Sequence, residues 1–150
     1  MAFFQQDFVL RQIKRLTQLL EQIIFKKNQK QYDQAIEQIQ NAFQQLTKDH
    51  PKKFSELSLA ETQNIFKRDQ DFEADLALAV ADLLIEEGEM LRKKHYSRSQ
   101  KCYLQALLLY KKAQLTTETP VPLNIQQKIT RLKSEIQDPA HLGTINELVT

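Results

Sequence analysis

The chain reads as a succession of apolar stripes at helical spacing, separated by short polar breaks. Val9, Ile13, Leu16, Leu20 and Ile23 recur at alternating intervals of four and three residues, which aligns them along one side of a helix. Phe8, Leu10, Leu19, Ile24 and Phe25 widen that side. The helix is expected to start near Asp7, whose carboxylate can cap the free amides of a first turn. A polar run from Lys26 to Lys30 ends the pattern. Tyr32, Ala35, Ile36, Ile39, Ala42, Phe43 and Leu46 then form the apolar face of a second helix. A break this short makes the two helices antiparallel neighbours. Pro51 closes the pair behind Asp49 and His50, because proline disfavours helix in the residue before it.

Ser58 and Glu61 have capping-box spacing, predicting a short third helix to about Lys67. The polar break from Arg68 to Asp71 follows, with Asp69 or Asp71 as the expected cap of the next helix. That fourth helix, running to about Lys94, is the most apolar segment. Phe72, Leu76, Val80, Leu83 and Leu84 lie on one side, and Leu78 and Ile85 reach round to another. A helix apolar over so much of its circumference belongs at the centre, contacted on several sides. Tyr96, Ser99, Tyr103, Ala106, Tyr110 and Ala113 mark a fifth helix, with Leu104 and Leu108 as a second stripe. The segment from Thr116 to Pro122 is the clearest loop. Asn124 is the expected cap of a sixth helix carrying Ile125, Ile129, Leu132 and Ile136. Asp138, Pro139 and Gly143 are expected to interrupt the chain before Thr144 and Glu147 box the start of a last short turn. No segment sustains period-two alternation, so no sheet is expected.

Two of these segments resemble each other. With Tyr32 placed on Tyr96, Ala35 falls on Ser99, Ile39 on Tyr103, Ala42 on Ala106, Phe43 on Leu107 and Leu46 on Tyr110. Tyr32, Ala35, Ile39 and Ala42, like Tyr96, Ser99, Tyr103 and Ala106, resemble the second half of a tetratricopeptide repeat. Small residues there let one helix approach its partner, and large ones fill the gaps. The first helices depart from the family pattern. Gln22 and Ile23 stand where the family has Leu and Gly, and Gly88 lies one residue out of register. The whole arrangement, opening with the run Phe8, Val9, Leu10, Arg11, Gln12, Ile13, Lys14, Arg15 and Leu16, also looks like a small uncharacterised helical family from Gram-positive bacteria, which brings no activity with it. The resemblance implies an all-α single domain of six to seven helices. In it, two antiparallel helix pairs close into a compact right-handed array or bundle.

Composition agrees with helix. Two Gly and four Pro in 150 residues leave few breakers and too few turn residues for a β-sandwich. A net charge of +2 is too balanced to imply nucleic acid. Cys102 is the single cysteine, so no internal disulfide forms, and a lone thiol suits a reducing, cytoplasmic setting. The opening residues lack the basic and apolar regions of a signal peptide. No apolar stretch approaches the ~20 residues of a membrane span.

Chemistry-bearing residues are sparse. His50, His95 and His141 lack partners at metal-ligand spacing, apart from Asp138 before His141, which spans a proline. Cys102 has no motif supplying a base, so it reads as a small packing residue rather than a nucleophile. No glycine-rich phosphate loop is present. These readings point to no catalytic residue, no cofactor and no metal. What remains is charge. Asp75, Asp82, Glu86 and Glu89 share the fourth helix, and Arg11, Lys14 and Arg15, with Lys26, Lys27 and Lys30, make the first helix basic on its polar side. A charge row ordinarily keeps a helix solvated. As candidates for partner binding we take Arg11, Lys14, Asp75, Asp82 and Glu86. The expectation is a non-enzymatic protein–protein interaction or scaffold module receiving a protein or peptide between the first and fourth helices. The alternative is a regulatory subunit contacting nucleic acid through basic helix surfaces. The seam of the first helix, or Phe3 and Phe4, are the places where a homodimer would form. An open mixed groove between helices one and four favours the first reading, a contiguous basic surface the second, and a buried polar pocket with paired carboxylates an enzyme.

Overall fold

The computed structural model describes residues 6–68, 71–116 and 124–150. Those residues form seven α-helices: α1 Gln6–Asn28, α2 Tyr32–Gln44, α3 Leu59–Ile65, α4 Ala74–Leu91, α5 Tyr96–Gln114, α6 Ile125–Glu135 and α7 Pro139–Val149. Among the described residues, no helix is long and apolar enough to cross a membrane. The all-α expectation holds with one correction. Lys67–Arg68 (β1) and Asp71–Phe72 (β2) form a small antiparallel ladder, with Lys67 opposite Phe72 and Arg68 opposite Asp71. Two residues per strand are too few to show alternation, which is why periodicity could not reveal it.

The caps explain where several boundaries moved. The Ser58–Glu61 box forms in both directions, and α3 ends at Ile65. Asp7 sits inside the first turn of α1, where its charge favours the helix dipole without capping. Asp71 lies in β2, so it does not cap α4, whose preceding residue Glu73 makes no side-chain cap bond. Asp69 lies outside the described residues. Asn124 precedes α6 without capping it through its side chain. The largest shift is at the C-terminus. Asp138 accepts from the Ala140 amide at 3.0 Å, and Pro139 occupies the first helical position. This pair starts α7 rather than interrupting the chain, since proline's missing N–H costs nothing there. Gly143 and Thr144 then fall within α7. Phe3, Phe4 and the loop residues 117–122 are outside the described residues.

The core is assembled around α4 and α5. Their mutual packing is the most extensive in the molecule, and α4 also touches α1 and α2 while α5 touches α3, α6 and α7. The reason lies at Gly88. A Cβ there would stand 2.6 Å from Cε1 of Tyr103. Ser99, fully buried, donates its hydroxyl to the Gly88 carbonyl at 2.6 Å. Glycine on one helix and serine on the other bring the two backbones into close approach.

The aligned segments share their environments. Ala35 and Ser99 are wholly buried, as are Ile39, Ala106 and Leu107; Tyr103, Ala42, Phe43, Leu46 and Tyr110 are nearly so. Tyr32 and Tyr96 are both exposed, each as the first residue of its helix. On α1, Val9, Leu16 and Ile23 are spent inside the chain, leaving Leu10, Ile24 and Phe25 exposed. The stretch between α2 and α4 docks through aromatic contacts. Phe43 meets Phe54 at 4.9 Å, Phe54 meets Phe66 at 6.4 Å, and Phe66 meets Phe72 at 6.1 Å. Phe72 thereby belongs to this chain of rings and not to α4. Buried Gln105 on α5 holds the same stretch, donating to the Phe54 carbonyl at 3.0 Å and to Thr62 Oγ1 at 3.1 Å.

Two glycines give opposite expectations. Gly88→Ala should lower stability by about 1–2 kcal/mol in urea unfolding. Overpacking Tyr103, at about 1–3 kcal/mol, outweighs a helix-propensity gain of about 0.5–1 kcal/mol. Gly143→Ala, with nothing within 4 Å of the added carbon, should raise stability by up to about 1 kcal/mol. At Glu61 the Ser58 amide and then Lys52 hold the carboxyl down to about 2. A depressed carboxyl stabilises above its ordinary pKa of 4.5, and that contribution is lost as pH falls through about 2. A carbon-detected NMR titration should place its midpoint there, and Lys52→Ala should move it upward.

Candidate functional site

Three helices lie side by side in the same direction. Arg68 donates to Gln6 at the start of α1 and to Glu73 just before α4, at 2.5 and 3.2 Å. At the other end, Lys27 of α1 reaches Glu86 and Glu89 of α4 at 2.8 and 2.6 Å. Start meets start and end meets end, so α1 and α4 run parallel. The α6 helix follows suit, with Lys128 on Asp82 at 2.8 Å and Arg131 on Glu89. The hairpins set only α2 against α1 and α5 against α4; the stretch holding the 3-10 turn Phe54–Glu56 and α3 brings the chain back so that α4 starts beside the start of α1.

Between them runs a groove of about 270 Å³. Its apolar lining is Leu20 and Ile24 from α1 and Ile85 from α4; its walls are Lys27, Asp82, Glu86, Glu89, Lys128 and Arg131. The charges are three of each sign and mutually engaged. Burial alone would raise the Glu89 carboxyl, but the hydrogen bond and charge of Lys27, with Arg131, hold it below the ordinary range. Lys27 shifts the other way: burial would lower it, but Glu86 and Glu89 outweigh burial and raise it. Asp82 also accepts from the Tyr110 hydroxyl, and Lys128 sits 5.6 Å from the centre of that ring. Burial, then the negative charge of Asp82, pushes the phenol far above its usual range, so Tyr110 stays a neutral donor.

The five candidate residues separate into two groups. Asp82 and Glu86 stand in the groove wall, each already holding a cation. Asp75 is exposed in the first turn of α4, and Arg11 and Lys14 are exposed on α1. Lys14 precedes Lys27 by some three and a half turns, about 20 Å along the helix. Among the described residues, no ion pair joins Asp75 to Arg11 or Lys14. The basic row of α1 is thus divided: Lys27 is committed to the groove, while Arg11 borders a shallow hollow with Asp7, Phe8 and Leu10.

Sequence reasoning missed Lys128 and Arg131, which belong to the site only because α6 folds back beside α4. The histidines stand elsewhere. Nδ1 of His50 accepts from the Lys52 amide at 3.0 Å, His95 precedes α5 without a capping bond, and Nε2 of His141 is 4.0 Å from Asp138. Among the described residues, no cluster of three His, Cys, Asp or Glu is placed to hold a metal ion.

Comparison of the chain with protein families, curated proteins and solved structures found no match. The fold and groove define a class by themselves: an all-α bundle of helical hairpins whose α1, α4 and α6 line a charge-walled groove.

Lys27 is the test of that wall. Lys27→Met should cost about 1 kcal/mol in low-salt urea unfolding, because Glu86 and Glu89 lose the cation between them. The difference should shrink in molar sodium chloride. The depressed Glu89 carboxyl stabilises above its ordinary pKa of 4.5 and loses that contribution as it is protonated below. The native protein should therefore lose stability more steeply than Lys27→Met as pH falls beneath about 4.5.

Proposed function

We propose that the chain is a non-enzymatic interaction module that seats a protein segment, a peptide or a helix with apolar anchors, in the groove of α1, α4 and α6. One observation carries this reading. Three parallel helices leave Leu20, Ile24 and Ile85 along an open groove instead of closing over them. Part of Ile24 stays in contact with solvent, at 39% exposure, a cost in water that a docked apolar side chain would remove. The charged walls suit a segment whose apolar residues are flanked by charges of both signs. Because each wall charge is already partnered, they tune register more than affinity.

The nucleic-acid reading has less behind it. Lys27, Lys128 and Arg131 are neutralised by carboxylates, leaving Arg11, Lys14 and Arg15 as the exposed basic residues of the α1 flank. A few cations on one helix face give a weak, salt-sensitive interaction.

Affinity capture from the native host, followed by mass identification, tests both readings. The tagged protein should retain a protein partner that Ile24→Glu fails to retain, while circular dichroism shows the variant still folded. Recovery of nucleic acid alone, or equal retention by the variant, overturns the groove reading.

A further inference from the structure

A second cavity, of about 340 Å³, opens on a different side of the molecule, between α2, the 3-10 turn Phe54–Glu56, α4 and α5. That is the small end of the ligand-pocket range of about 300–1,000 Å³. Its lining is mixed: Phe43, Phe54 and Leu84 are apolar and 4% exposed or less, and Gln40, Gln44, Ser55 and Gln105 stand among them. Its mouth carries exposed Lys53, Glu56 and Arg98.

The unusual group is Glu87. Its side chain lines the cavity from α4, and the residue is only 4% exposed. Cys102 donates its thiol to the carboxyl at 3.3 Å, and the Gln40 side chain adds a second hydrogen bond. Among the described residues, no cation forms an ion pair with it. Burial drives the carboxyl up, against the pull of Cys102, Gln40 and Arg98. Burial, with Glu87 beside it, also pushes the Cys102 thiol well up, so the thiol is an inert donor.

A buried carboxylate held in no direct ion pair costs several kcal/mol, which the more distant charge of Arg98 offsets only in part. A glutamine would fill the same space and make hydrogen bonds without that cost. A glutamate here gains something only if its charge is used, and the cavity supplies the space for a charge to arrive. Phe43 and Phe54 add ring faces, which attract cations further. The basic residues at the mouth disfavour a polycation and admit one positive group on an apolar stem.

The geometry points to a binding site for a primary ammonium compound, with the ammonium on Glu87 and its aliphatic stem lying along the packed Phe43, Phe54 and Leu84 side chains. It stands apart from the groove and independent of what the groove binds.

Hexylammonium is the probe, and hexanoate, of the same shape and opposite charge, is its control. Titration calorimetry on the full chain should show saturable binding of hexylammonium and none of hexanoate. Glu87→Gln should weaken hexylammonium by about tenfold or more, the size of one charge-assisted hydrogen bond. Amide NMR shifts in the native protein should centre on Glu87, Cys102 and Phe54. Absence of saturable binding, equal binding of hexanoate, or unchanged affinity in a folded Glu87→Gln variant overturns the site. Should that variant fail to fold, the NMR map of the native protein decides, and shifts centred on Ile24 and Ile85 overturn it.

Discussion

The close approach of α4 and α5 at Gly88 is the contact on which the rest of the molecule is built. A side chain at that position would collide with Tyr103, and the Gly88 carbonyl is taken by Ser99 from the facing helix. With the two backbones drawn together there, side chains on the flanks of both helices face outward to new partners. On α4 these partners are α1 and α2; on α5 they are α3, α6 and α7. A helix pair that packs tightly on one side can recruit neighbours on its other sides because it presents several apolar faces at once. Interior packing at crystal-like density makes such a contact intolerant of added volume.

The groove is a consequence of that arrangement. Short connections make α1–α2 and α4–α5 antiparallel, and the longer returns before α4 and α6 set α1, α4 and α6 in one direction. Their carboxylates and cations then meet at matched heights: Lys27 with Glu86 and Glu89, Lys128 with Asp82, Arg131 with Glu89. These pairs are partly solvated, so they set register more than they stabilise. Glu87, one residue after Glu86, faces a different side and lines the second cavity. A single turn of α4 therefore supplies Glu86 and Glu89 to one surface and Glu87 to another, which helical geometry permits because neighbouring residues lie about 100° apart.

Much of the fold was legible because helices are written locally. The stripe of Val9, Leu16 and Ile23, the Ser58–Glu61 box and the central character of α4 follow from spacing and side-chain chemistry alone. Errors clustered where a boundary depended on one residue with two roles. Asp138 and Pro139 read as an interruption yet begin α7, because proline both ends helices and opens them. Phe72 read as helical because its apolar spacing fits, whereas Phe66 draws it into the β-ladder. The site was half legible. Asp82 and Glu86 were visible as an acidic row, but nothing local indicated that they were already paired.

What the sequence determines by itself is therefore the inventory of helices, the faces they bury, and the likeness between the segments beginning at Tyr32 and Tyr96. These properties depend on neighbours three and four residues away. The tertiary structure alone decides which charges are spent and which are spare. Lys128 reaches Asp82 from 46 positions along the chain, and Cys102 reaches Glu87 from 15. Whether a carboxylate is a solvated edge, half of an ion pair or a buried acid facing a cavity is set by the dielectric and partners around it. Those exist only once distant helices have packed.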